Sequence, residues 1–272
     1  MKIIDAHIHF KPSPGFDRLA QEAGHINSAA HLQETFDKLD IRHAVIMGNT
    51  GLDETPLCPP HTSYCIGLDS SHFSQSVLEN DMSLLESHLR CPECVGIKLY
   101  PGYNRHYITE PFYHPLYDLA AQYRKPVAIH TGATANAGAH LKYCHPLLVD
   151  EVAADFPNTT FVLCHYGNPW VTDAAAVLDK NKNVCADLSG ILDGGRHDID
   201  AYEKANSGYM EHLRTWIAYP CAFDRLMYGT DWPLVHMADY IDFISRLIPH
   251  QHWEDVFYHN ADRIYSLHLE TR

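Results

Sequence analysis

Short runs of β-branched and apolar residues recur along the chain, and most are followed by a stretch with apolar positions at three- and four-residue intervals. About eight such runs stand out: 3–7, 43–48, 64–68, 95–100, 126–130, 160–165, 183–189 and 226–230. Between them, Ala29 to Leu39, Ser74 to Leu89, Pro111 to Tyr123, Pro146 to Phe156, Trp170 to Leu178 and Tyr209 to Ile217 carry the helical period. Alternating strands and helices predict a parallel sheet covered by helices. Eight strand-helix units over 272 residues make a closed α/β (β/α)8 TIM barrel the economical arrangement, and the absence of a Pro/Gly/Ser linker predicts one domain over residues 1–272. An open doubly wound sheet is the rival, but no G-x-G-x-x-G follows the first strand.

A barrel strand is buried on both faces, so a polar side chain inside one is costly unless something pairs with it. His7 and His9 are one residue apart on the first strand and leave the same face. Lys98 interrupts the fourth run, His130 and His165 end the fifth and sixth, and Asp231 follows the eighth. All lie at or near the C-terminal end of their strand, the face where barrel enzymes carry their sites. A lone histidine there is more often a hydrogen-bonded structural residue, and a lone aspartate a helix cap. Together, imidazoles and a carboxylate converging on one rim match what a divalent first-row ion such as zinc requires, with a position left for water.

Charge narrows the partner. Asp and Glu outnumber Lys and Arg by 34 to 20, a formal charge of -14, which disfavours nucleic acid or an anionic membrane and leaves a small molecule as the expected partner. No signal-like leader and no bilayer-length apolar run are visible, so a cytoplasmic location is expected. The sequence leaves a homo-oligomer open. The eight cysteines are spread over a chain too large to need disulfides and are expected as free thiols. Cys91-Pro92-Glu93-Cys94 forms a C-x-x-C, but no second pair completes a four-ligand zinc site nearby.

The ordered set Asp5-Ala6-His7-Ile8-His9, Gly96-Ile97-Lys98-Leu99-Tyr100-Pro101, Ile129-His130-Thr131-Gly132, Cys164-His165-Tyr166-Gly167-Asn168-Pro169-Trp170 and Tyr228-Gly229-Thr230-Asp231-Trp232-Pro233 resembles the amidohydrolase superfamily. The resemblance is to the amidohydrolase-related branch, which includes decarboxylases similar to aminocarboxymuconate-semialdehyde decarboxylase. It extends to Asn260-Ala261-Asp262-Arg263, similar to the family's closing helix. It implies a metal held by His7, His9, His130 and Asp231, with His165 beside the metal's water or the substrate oxygen. Lys98 stands where dinuclear relatives carry a carboxylated lysine bridging two ions, whereas one-metal relatives do without that bridge. Asn168 stands where the decarboxylases tend to carry a second glycine.

The reading that follows is a metal-dependent hydrolase of a small amide, lactone or ester, with Asp231 as proton acceptor and His165 orienting water or stabilising an oxyanion. The alternatives are a metal-dependent non-oxidative decarboxylase of a small unsaturated or aromatic acid, and a barrel whose metal is purely structural. Asp5 is expected either to hydrogen-bond a ligand histidine or to serve as a structural carboxylate. For substrate contacts, Arg105 offers a guanidinium for a carboxylate, Arg196 lies in the Gly194-Gly195-Arg196-His197 loop, and Trp170 and Trp232 adjoin proposed site residues.

Overall fold

A computed structural model describes residues 1–68, 75–192 and 194–269, without the side chains of 75–80. Eight strands form one parallel sheet in chain order: β1 (Ile3–Ile8), β2 (Ile41–Met47), β3 (Thr62–Leu68), β4 (Cys94–Leu99), β5 (Val127–His130), β6 (Phe161–Cys164), β7 (Val184–Asp187) and β8 (Leu226–Met227). This is the expected (β/α)8 barrel. Only two residues of β8 satisfy strand pairing, yet the chain beyond them runs on beside β1 and brings the sheet round on itself. Ala6 N–H donates to the Tyr228 carbonyl (2.9 Å), Asp231 N–H to the His7 carbonyl (2.8 Å) and His9 N–H to the Trp232 carbonyl (2.6 Å).

The predicted helices appear as Ala29–Leu39, Gln75–Arg90, Pro111–Tyr113 running into His114–Tyr123, Leu147–Asp155, Val171–Lys180 and Ser207–Ala218. Ser74, the predicted start of the second, lies outside the described residues. Helix Pro14–Glu22 was not anticipated, although Ser13 accepts from the Phe16 N–H and Pro14 stands in the first turn, a legible start signal. Helices Ile199–Ala205 and Met237–Ser245 were likewise missed.

Two apolar clusters follow from strand alternation. One lies between strands and helices and includes Ile46, Ile66, Ile97, Leu99, Ile129 and Leu163. The other fills the barrel with Ile4, Val45, Met47, Cys65, Ala128, Val162, Cys164, Cys185 and Met227, and residues 258–267 pack against it. Pairing of β1 with β2 is irregular between Asp5 and Ile8, the stretch that delivers His7. All eight cysteines are free thiols. Among the described residues no helix is long and apolar enough to cross a membrane.

Candidate metal centre

The strand ends bring His7, His9, His130, His165 and Asp231 together. His7 Nε2 is 3.3 Å and His9 Nε2 3.1 Å from the same Asp231 oxygen, Oδ1. His165 Nε2 lies 3.0 Å from His130 Nδ1, and the His7 and His165 ring centroids are 4.8 Å apart. Among the described residues, His7, His165 and Asp231 each present a donor atom within 4.8 Å of the others. That close trio includes His165, which the resemblance sets beside the ion, whereas His9 and His130 flank it.

The backs of the rings decide which nitrogens face inward. His9 Nδ1 lies 2.9 Å from the Met47 carbonyl, and His130 Nε2 lies 2.9 Å from the Ala133 carbonyl. A carbonyl only accepts, so each of these nitrogens carries the proton and the other, His9 Nε2 or His130 Nδ1, keeps its lone pair for the centre. His7 Nδ1 lies 2.9 Å from Asp187 Oδ2, which likewise leaves Nε2 aprotic and directed at Asp231. His165 Nδ1 contacts Ser189 Oγ at 2.9 Å, and that hydroxyl donates to Asp187 Oδ1 at 2.5 Å.

Asp187, at the end of β7, is therefore the organiser of the site. Its Oδ1 also accepts from the backbone N–H of His165 (3.0 Å) and of Ser189 (3.1 Å). It was missed in the sequence, although the signal was the one that marked the other residues, a charge closing the buried run Val184-Cys185-Ala186. Asp5 has a related duty one layer below. It accepts from Thr230 N–H (2.9 Å), Thr230 Oγ1 (2.7 Å) and His7 N–H (3.2 Å), tying β1 to the turn that carries Asp231. Its hydrogen bond to the expected ligand histidine His7 runs through the backbone N–H rather than the imidazole.

Strain and close approach mark the same place. His165 (φ 63°), Tyr166 (φ 46°) and Asp231 (φ 64°) are left-handed without being glycine, which costs free energy that the surrounding hydrogen bonds must outweigh. Gly190 (φ 59°) passes so close that a Cβ there would meet His165 Nδ1 at 2.7 Å and Asp231 Oδ2 at 3.2 Å.

Electrostatics follow from burial. Desolvation pushes His7 down to about 4, against the pull of Asp187, and also lowers His130 and His165. Burial raises the Asp231 carboxyl, but the His165, His9 and His7 imidazoles outweigh it and hold the group well below the usual range. Burial likewise opposes ionisation of Asp187, but His7 and His165 hold its carboxyl low. Ring nitrogens and carboxylate oxygens gathered this closely favour a cation between them. Burial pushes Asp5 up to about 7 despite its three hydrogen bonds.

The centre opens into a cavity of about 390 Å³ lined by His9, His130, His165 and Asp231, with Phe16, Leu19, Tyr100, Tyr103 and Leu234 among its walls and Asn49, Thr134 and Asn168 among its neutral polar groups. Arg105, Trp170 and Trp232, expected as substrate contacts, are not in that lining. The exposed Arg105 guanidinium donates to the Gly138 carbonyl at 2.9 Å. Trp170 lies against His145 with centroids 4.9 Å apart. Trp232 is fully buried and stacks on Phe10, because the turn that aims Asp231 into the cavity sends the next side chain behind it. Arg196 pairs with Asp239 at 3.1 Å. Lys98 is fully buried in the barrel, with Nζ 2.8 Å from Cys164 Sγ.

A parallel barrel with imidazoles and a carboxylate gathered at the C-terminal mouth defines a class of barrel proteins suited to holding a metal. The amidohydrolase family profile matches residues 75–267, and the chain belongs to that family. Among solved structures, the fold is similar to an uncharacterized TIM-barrel protein from Bordetella bronchiseptica (18% identity, TM-score 0.70, covering 98% of this chain and 99% of that one). It is also similar to 2,6-dihydroxybenzoate decarboxylase from Rhizobium (13%, TM-score 0.69, 98% and 99%). A third is an amidohydrolase from Burkholderia multivorans with bound zinc (13%, TM-score 0.68, 98% and 99%). No match was found among curated proteins.

Proposed function

We propose that this amidohydrolase-family protein is a metal-dependent hydrolase acting on a small amide, lactone or ester. The observation that carries the reading is a pair of orphaned buried atoms: among the described residues, His7 Nε2 and Asp231 Oδ1 have no hydrogen-bond partner, although they lie 3.3 Å apart. Leaving both unsatisfied would cost about 1–3 kcal/mol each, a penalty that a bound cation removes. The donor set fits one such ion, with three imidazole nitrogens fixed as lone-pair donors from behind and a carboxylate held ionised. His7, His9, His130 and Asp231 would hold it, and a nitrogen-rich set with one carboxylate favours zinc. Bound there, zinc supplies Lewis acidity and acidifies a water at neutral pH.

The protein's own groups do the rest. Asp231, kept ionised, accepts a proton from the attacking water and returns it to the leaving group. His165, held from behind by Ser189 and through it by Asp187, faces the cavity and positions the substrate's carbonyl oxygen. Phe16, Tyr100 and Tyr103 close the walls around a molecule of small aromatic size. Lys98, directed at Cys164, supports a single ion rather than a carbamate-bridged pair.

The test is metal analysis of freshly purified protein together with turnover of a lactone and ester panel. One zinc per chain and water-dependent ring opening support the reading. Release of carbon dioxide from an aromatic or dienoic acid, with no hydrolysis, would replace it with the decarboxylase. Protein free of divalent metal that also fails to take up zinc would end both.

A further inference from the structure

Neither Lys98 nor Cys164 is in the lining of the substrate cavity, and neither has a part in the ligand set proposed above. Lys98, on β4, and Cys164, ending β6, both point into the barrel from alternate strands, the arrangement that stacks side chains in one layer. Both are wholly removed from solvent. A buried ammonium is normally held by a carboxylate or by several carbonyls, because losing its hydration is expensive. Among the described residues, no carboxylate lies within ion-pair distance of Lys98, and the hydrogen bond it makes is to Cys164 Sγ at 2.8 Å, with the face of Tyr100 at 5.2 Å. Asp187 and His7 lie close to the same thiol, their donor atoms and Cys164 Sγ all within 4.8 Å of one another.

We infer that Lys98 and Cys164 form a reversible covalent cross-link through one oxygen atom, Nζ–O–Sγ, a redox-sensitive link between β4 and β6 beneath the metal centre. The oxidant is dioxygen, small enough to permeate a packed barrel. The ammonium, the thiol and one dioxygen give the N–O–S bridge, one water and one released proton. Nitrogen and sulfur each lose two electrons, dioxygen takes all four, and one of its oxygen atoms leaves as water. Two dithiol equivalents return the pair to amine and thiol with loss of the bridging oxygen as water. The distance favours this product: a nitrogen and a sulfur 2.8 Å apart accommodate an intervening oxygen with little displacement of either strand, whereas a direct N–S bond would need the strands drawn together.

The measurement is intact mass and peptide mapping of the whole protein after air exposure, with and without dithiol. The expected result is a gain of about 14 Da carried by a cross-linked peptide pair containing Lys98 and Cys164, with one thiol lost from the eight in the chain on titration under denaturing conditions, all reversed by dithiol. Cys164→Ser and Lys98→Met should each abolish the gain. Three results would overturn the inference: a linear Cys164 peptide after exposure, free or as a sulfinic acid; a mass loss of about 2 Da, which marks a direct N–S bond; or a gain that persists in Lys98→Met. The wild-type peptide map decides even if a variant fails to fold.

Discussion

Asp187→Asn separates the geometry of the site from its charge. Asp187 Oδ1 accepts from two backbone N–H groups and from Ser189 Oγ, while Oδ2 accepts from His7 Nδ1. With three donors aimed at one position, the asparagine oxygen must occupy it, and the amide NH2 must face His7. A donor opposite Nδ1 reverses the imidazole tautomer and moves its proton to Nε2. There the proton meets Asp231 Oδ1, 3.3 Å away in the wild type, and the two orphaned atoms satisfy each other. The variant therefore folds with its site closed against a cation.

Loss of a charge-assisted hydrogen bond is worth about 1.5–3 kcal/mol, so zinc affinity should fall about 10- to 100-fold. The assay is competition with a chromophoric chelator on apo protein whose fold is checked by circular dichroism. Unchanged zinc affinity in a folded Asp187→Asn protein would refute the tautomer argument and, with it, the assignment of His7 as a ligand.

Further tests address other parts of the site. His130→Ala should lose most bound zinc, whereas His165→Asn should keep zinc and lose most turnover; equal zinc in wild type and His130→Ala, by elemental analysis, would remove His130 from the ligands. Gly190→Ala places a Cβ 2.7 Å from His165 Nδ1 at φ 59°, so it should cost about 1–2 kcal/mol in urea denaturation from the left-handed conformation alone; a loss within error would show that the loop relaxes. In metal-free protein, His7 is held near 4 from an ordinary 6.5. Its unfolded form binds a proton first as pH falls through that window, and stability drops by up to about 3 kcal/mol. Asp5, raised from 3.8 to about 7, acts oppositely, because its folded form is the one that binds a proton between those values and stability falls as pH rises. Asp5→Asn should thus steepen the gain in stability between about pH 4 and 6.5, and parallel pH curves for variant and wild type would contradict the account of Asp5.

Period and interruption were legible in the linear chain. Apolar runs of strand length, each followed by a helical period, already determined eight parallel units, and charges or imidazoles closing those runs marked His7, His9, His130, His165 and Asp231 because a buried polar group needs a reason. Local side-chain direction is a property of two or three neighbouring residues, which a sequence carries in full. What only the tertiary structure decided was which atoms meet when the barrel closes. The carbonyls of Met47 and Ala133 set two tautomers, Asp187 joins β7 to β1 and β6, and Trp232 turns away from the cavity while Asp231 turns in. The Lys98–Cys164 contact spans two strands with β5 between them. Apart from Ala133, three residues beyond His130, such partners lie tens to hundreds of residues apart in the chain, and no periodicity encodes them, because their distances depend on the closure and register of the whole sheet.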